Sequence, residues 1–171
     1  CRPTGNFYRI DPDLTVTKIR SKYRIPNGLA WNPDNSVMYH TDTRTNVVRS
    51  YKFDLASGEC MVEREFYLFD RDKTGGVDGA AMDMKGGYWA ALYGGRKLIR
   101  VSPDGNLDAE ILLPVSQPTM PVFGGPDLKT MFITSAYQNL DNGDFMSQPF
   151  AGGLLAISVN VQGHHVYPFR G

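Results

Sequence analysis

The sequence predicts an all-β chain that folds as consecutive propeller blades, about three and a half of them. Three observations lead there. A short motif, an oxygen-bearing side chain followed by glycine and the opening of a strand, recurs as Ile25-Pro26-Asn27-Gly28-Leu29-Ala30-Trp31 and Gly76-Val77-Asp78-Gly79-Ala80-Ala81-Met82. A third copy, Pro118-Thr119-Met120-Pro121-Val122-Phe123-Gly124, keeps the frame with Thr119 at the polar position. Repeats of about 40–50 residues that each hold several short strands mark propeller blades. No stretch sustains a 3.6-residue apolar period, so helices are at most minor.

The elements follow in order. Asn6-Phe7-Tyr8-Arg9-Ile10 and Thr15-Val16-Thr17-Lys18-Ile19 read as outer strands of a partial blade over residues 1–26. Blades are then expected over about 27–68, 78–113 and 119–171. Their clearest strands are Val37 to Thr41, Val47 to Phe53, Tyr88 to Leu92, Leu98 to Val101, Met131 to Thr134 and Leu154 to Ile157, rich in β-branched and aromatic residues. Turn formers punctuate them: Pro33-Asp34-Asn35, Ser57-Gly58, Gly86-Gly87, Pro103-Asp104-Gly105 and Gly124-Gly125-Pro126-Asp127. Each blade is expected to be a four-stranded antiparallel sheet, with Asn27 and Asp78 aimed at a common axis. Propellers close on themselves to hide their edges. Three and a half blades leave two open edges, so upstream sequence or a second chain is expected to complete the ring.

Composition narrows the function. With 171 residues, 42% hydrophobic and 12% aromatic, the chain can bury a domain-sized core. Eighteen basic and eighteen acidic residues cancel, which argues against nucleic acid or an anionic membrane as partner. No apolar run has the length of a membrane span, and residues 1 to 15 lack the apolar core of a signal peptide. Cys1 and Cys60 make no disulfide framework and read as two free thiols. A reducing, cytoplasmic compartment is the resulting expectation.

Further segments carry a family resemblance: Gly5 to Asp13, Ile25 to Asn32, Tyr51 to Glu59, Val77 to Asp104 with its Tyr88-Trp89-Ala90-Ala91-Leu92-Tyr93-Gly94-Gly95 core, Phe123 to Leu128, and Gln148 to Ile157. The chain resembles, along its whole length and in order, the C-terminal part of the gluconolactonase, regucalcin (senescence marker protein) and luciferin-regenerating enzyme family. The resemblance implies a six-bladed β-propeller. It also implies one divalent cation in the central channel, Ca²⁺ ahead of Zn²⁺, Mg²⁺ or Mn²⁺, held by a Glu, two Asn and an Asp. Asn27 matches one family Asn and Asp78 the family Asp; the other two ligands are expected upstream of Cys1. Val77 stands where the family usually has Pro, and Ala80 where it usually has Met.

The residues themselves point the same way. An Asn carbonyl and an Asp carboxylate are hard oxygen donors, suited to Ca²⁺, Mg²⁺ or Mn²⁺. With a lactone as small-molecule substrate, the ion would polarise the ring carbonyl, and Asp78 could also take a proton from the attacking water, which makes it the candidate catalytic residue. Taken singly, Asn-Gly is more often a turn than a ligand, and only its recurrence argues otherwise. His40 reads as a packed histidine, His164-His165 as a surface pair, and Trp31, Trp89 and Phe123 as blade packing. Strand-end hydrogen bonding accounts for Asp42 with Thr41 and Thr43. Asp141-Asn142-Gly143-Asp144 lacks the later bidentate Glu of a calcium loop and reads as a flexible surface loop. No Gly-x-Ser-x-Gly elbow supports a serine nucleophile. Two functions remain: a metal-dependent hydrolase of a sugar lactone or related cyclic ester, and a non-catalytic calcium- or small-molecule-binding propeller of the same family.

Overall fold

A computed structural model describes residues 2–169. Its strands form four antiparallel sheets: β1 (Gly5–Ile10) with β2 (Val16–Tyr23); β3 (Pro26–Trp31), β4 (Val37–Asp42), β5 (Val47–Asp54) and β6 (Glu59–Leu68); β7 (Gly76–Met82), β8 (Tyr88–Tyr93), β9 (Lys97–Val101) and β10 (Leu107–Leu112); and β11 (Pro118–Gly124), β12 (Thr130–Ser135) and β13 (Leu154–Ser158). Each sheet is a meander in which sequential strands pair, the blade topology of a propeller. The set does not close into a ring and forms part of a six-bladed propeller. The last sheet departs from the four strands expected of it: three are formed among the described residues. The chain after β13 instead runs back to the second blade, where Gly163 bridges Asp83 and the His164 N–H donates to the Met82 carbonyl at 2.8 Å.

Inner strands β3, β7 and β11 lie side by side. Each breaks register at the same place, between Asn27 and Ala30, between Val77 and Ala80, and between Pro118 and Met120. Bulges of this kind bend a strand and re-aim a side chain. Here they fall on the polar residue of all three repeats. Glycine follows two of these residues for steric reasons. Gly28 has φ +63°, and a Cβ there would lie 2.5 Å from the Tyr88 hydroxyl; a Cβ on Gly79 would lie 2.7 Å from the Thr119 carbonyl.

The core sits between blades. β8 is buried on both faces, so its side chains alternate between two clusters. Tyr88, Ala90 and Leu92 pack with Tyr39 and Val48 of the preceding blade and Val77 of their own, while Trp89 and Ala91 pack with Met131 and Ile133 of the next and Val115 of the connection to it. The Trp89 and Phe123 rings meet edge-on at 6.2 Å, and Trp31 meets Phe53 at 5.7 Å, the packing roles expected of these aromatics. At the base of the second blade the fully buried Asp83 carboxylate accepts hydrogen bonds from Trp89 Nε1 at 2.8 Å, Arg100 Nε at 2.7 Å and the Gly87 N–H at 2.9 Å. Burial alone would push this carboxyl up, but these donors outweigh it and hold it below the usual carboxylate range.

Helix is minor: α1 (Arg71–Thr74) precedes β7, and α2 (Asn142–Ser147) precedes β13. The second corrects an expectation. The Asp141–Asp144 run is ordered as a helix start, because the Asp141 carboxylate accepts from the Asp144 N–H at 2.8 Å and the Asp144 carboxylate accepts from the Asp141 N–H at 3.2 Å. This reciprocal capping box satisfies two donors that a helix terminus leaves open. Among the described residues no helix is long and apolar enough to cross a membrane. Cys60 is a free thiol, and Cys1, expected to be the same, lies outside the described residues.

Candidate functional site

Because β3, β7 and β11 run in one direction along the channel, their first residues share one mouth and their last residues the other. Asn27, Gly79 and Met120 line a cavity at the first mouth; Trp31, Met82 and Phe123 line an apolar hollow at the second. His164 and His165, expected at the surface, border that second hollow, with His165 exposed and His164 partly covered.

At the first mouth Asn27 and Asp78 come together from neighbouring blades. The Asn27 amide Nδ2 donates to Thr43 Oγ1 at 2.8 Å, and that hydroxyl donates to the Val77 carbonyl at 2.7 Å. Thr43 therefore fixes the Asn27 amide, whose nitrogen also faces the Asp78 carboxylate, and no hydrogen bond engages Asn27 Oδ1 among the described residues. Behind the strand, the Tyr88 hydroxyl donates to the Gly28 carbonyl at 2.8 Å and ties the two blades together directly below the site.

Asp78 is half-buried. Burial pushes its carboxyl above the ordinary value, opposed only by the nearby Asn27 side chain. Among the described residues no cation contributes to holding it, and it enters no ion pair. A half-buried carboxylate without a cationic partner, beside an amide oxygen left free, is a donor set that could hold a hard divalent cation. These two side chains supply two oxygens. Among the described residues no group of three or more His, Cys, Asp or Glu side chains is placed to hold a metal.

The third repeat does not join them. The Thr119 hydroxyl is tied to the Thr134 hydroxyl at 2.7 Å across its own sheet. His40, at the same mouth, is 3% exposed, stacked on Phe7 at 5.2 Å and met edge-on by Tyr23 at 4.7 Å. Burial pulls its imidazole down to about 4, against the pull of Asp42, so it is neutral and packed, the role its sequence context suggested. Asp42 has the strand-end role expected of it: its carboxylate accepts the N–H groups of Arg24 at 2.7 Å, Ile25 at 3.0 Å and Arg44 at 3.0 Å, which fixes both loops of the mouth. Thr43 reaches further than expected. It follows a strand that pairs with the motif strand, Thr41 opposite Asn27, and that offset is the signal that placed it beside the amide.

Comparison with known proteins gives a consistent result. The model of the "SMP-30/Gluconolactonase/LRE-like region" matches residues 1–137. A 6-deoxy-6-sulfogluconolactonase of Pseudomonas putida is 37% identical over 162 residues, covering 95% of this chain and 55% of that protein. Regucalcin of Bos taurus is 33% identical over 172 residues, covering 99% of this chain and 57% of its own length. Among solved structures, regucalcin of Agrobacterium tumefaciens, described as a calcium-binding protein, superposes with a TM-score of 0.93 at 29% identity over 99% of this chain and 57% of that one. A luciferin-regenerating enzyme superposes with a TM-score of 0.82 at 29% identity, over 96% and 56%. The chain thus spans a little over half the length of the relatives it matches. By sequence and by fold it belongs to the SMP-30, gluconolactonase and luciferin-regenerating enzyme family.

Proposed function

We propose that the complete protein is a divalent-metal-dependent hydrolase of a sugar lactone, with Asn27 and Asp78 among its metal ligands and Asp78 as general base. The observation that supports this most is Asp78 itself: a half-buried carboxylate with no cation to hold it among the described residues, presented by a bulged inner strand beside an oriented amide. Relatives named as lactonases, from Pseudomonas putida and Bacillus subtilis, point to the same reaction class.

A bound divalent ion, Ca²⁺ by analogy with the Agrobacterium relative, would supply Lewis-acid polarisation of the lactone carbonyl. The chain's own residues account for the rest. The Asn27 nitrogen is engaged by Thr43 and by the Asp78 carboxylate, which leaves the amide oxygen for a ligand. The carboxylate of Asp78 accepts a proton from water as the water oxygen adds to the carbonyl carbon. The ring C–O bond then breaks, the ring oxygen takes up the proton that Asp78 received and becomes a hydroxyl, and the product is the open hydroxy acid with Asp78 restored to its carboxylate. Substrate enters from the mouth between the loops pinned by Asp42.

The test is metal titration by calorimetry alongside lactone hydrolysis at saturating metal, in the complete protein. Asp78→Asn retains an oxygen donor but no base, so it should keep much of the metal affinity while turnover falls about 10²- to 10⁴-fold. Asn27→Ala should raise the metal concentration required, with part of the rate recovered at saturation. Near wild-type turnover in Asp78→Asn removes the general-base role. Unchanged metal affinity in both Asn27→Ala and Asp78→Ala removes the site. The description of the Agrobacterium relative favours a second reading, a calcium-binding propeller without catalysis, which predicts metal binding at this site and no hydrolysis of any lactone.

A further inference from the structure

Beside the Asn27–Asp78 mouth lies a separate cavity of about 390 Å³, between the β4–β5 loop, α1 and the β8–β9 loop. Thr43 lines it, and the same Thr43 hydroxyl receives the Asn27 amide, so the cavity and the proposed active site share a wall. Gly76 also lines it, two residues before Asp78 on β7. Two residues of strand span about 7 Å, the scale of a hexose measured from its carbonyl carbon to its far substituent.

The cavity is basic. Arg44, Arg71 and Lys73 line it against a single carboxylate, that of Asp72. Lys73 is engaged by Asp70 at 2.9 Å. Among the described residues, neither Arg44 nor Arg71 has an ion pair or a side-chain hydrogen bond, although Arg71 is partly buried. The Tyr93 hydroxyl opposite them is also without a protein partner there. In a chain whose charges cancel overall, two guanidinium forks and a phenol left open on one cavity form a local anion-recognition surface. Elsewhere the partly buried arginines of this protein are paired: Arg100 with Asp83 and Asp108, Arg49 with Glu63.

We propose that this cavity receives an anionic substituent of the substrate, and that the substrate class is an acidic sugar lactone: a lactone bearing a carboxylate, sulfonate or phosphate far from its carbonyl. Arg44 and Arg71 are its specificity-determining residues, and Tyr93 donates a further hydrogen bond to the anion. The inference rests on the lactonase reading above and extends it to substrate choice.

The experiment compares hydrolysis of D-glucono-1,5-lactone and of its 6-phosphate by the complete protein. The expected result is a higher kcat/KM for the phosphorylated lactone and a ratio of the two that falls about 10- to 100-fold in the Arg44→Ala/Arg71→Ala variant, mainly through KM. Arg71→Lys should retain part of the preference. A wild-type ratio near one, or a ratio unchanged in the double variant, overturns the proposal. So does inorganic sulfate that inhibits both lactones equally, because the anion site would then be independent of the substituent. If neither lactone is opened, the lactonase reading fails, and the anion site is decided by calorimetry with 6-phosphogluconate and gluconate. Preferential binding of the former that disappears in the double variant supports the site, and equal binding of the two overturns it.

Discussion

Two titratable side chains at the same mouth are perturbed by burial in opposite senses, and their partners decide what each does. Asp78 is pushed up with no cation beside it, an arrangement that suits a ligand or a base. His40 is pulled down to about 4 and enclosed by Phe7 and Tyr23, which suits neither. Its depressed value has a consequence for stability. The fold favours the neutral ring, so its contribution is complete above the unfolded value of 6.5 and is lost as pH falls from there toward 4. Asp42 offsets part of this, while Arg20 and Arg49 add to it. The full span is worth at most about 3 kcal/mol. Urea unfolding of the complete protein at a series of pH values should therefore show an acid-side loss that is smaller in His40→Phe, and parallel pH profiles for the two proteins would show that His40 is not the group responsible. Asn27 and Asp78 were legible in the sequence because each sits in a repeated frame. Thr43 was not, because its partners are a side chain on the neighbouring strand and a carbonyl of the next blade, contacts that no local pattern encodes.

Inner and central strands were readable for a physical reason: they are buried, so selection for packing writes β-branched and aromatic residues into them. Outer strands β6 and β10 carry Glu59, Glu63, Arg64 and Glu65, and Asp108 and Glu110, with much of their surface exposed, and the same signal is absent there. α2 was missed because its capping box is spelled with two aspartates around Asn142-Gly143, which also spells a turn. The bulged inner strand is the element on which the site depends. Gly28→Ala would place a Cβ against the Tyr88 hydroxyl and hold alanine at φ +63°, so it should cost about 1–3 kcal/mol and displace Asn27 as well. Loss of metal affinity accompanying that destabilisation is the expected pair of effects; wild-type stability by thermal unfolding would show that the bulge tolerates a side chain. In the neighbouring blade, Asp83→Asn leaves the Arg100 guanidinium without its buried counter-charge and should destabilise by about 3–5 kcal/mol. That contribution is present above the unfolded carboxyl value and disappears as pH falls through the lower folded one. An Asp83→Asn variant that unfolds at the wild-type denaturant midpoint would contradict this.

At the scale of the molecule, two apolar clusters join the sheets on each side of β8, Phe7 and Tyr23 pack the first sheet on His40 of the second, and the flanking sheets end on apolar faces. Tyr8, Ile10 and Val16 of the first sheet are 50%, 56% and 61% exposed, and Leu154 of the last is 65% exposed. Apolar sheet faces and open strand edges favour association. The relatives extend for nearly as many residues again beyond the part this chain matches, and in a propeller those blades pack on faces of this kind. The sequence already implied an incomplete ring from its blade count, although it gave no sign that the last blade would send its C-terminal segment back to Met82 and Asp83. Residues 1–171 expressed alone should therefore self-associate, bind an apolar dye, and lack lactonase activity, because two oxygen donors make a weak site for a divalent ion. Supplying the upstream half of the propeller in trans should suppress dye binding and restore metal affinity together. Sedimentation velocity with parallel metal titration is the measurement, and a monomeric 171-residue polypeptide with full lactonase activity would show that these blades are a sufficient catalytic unit.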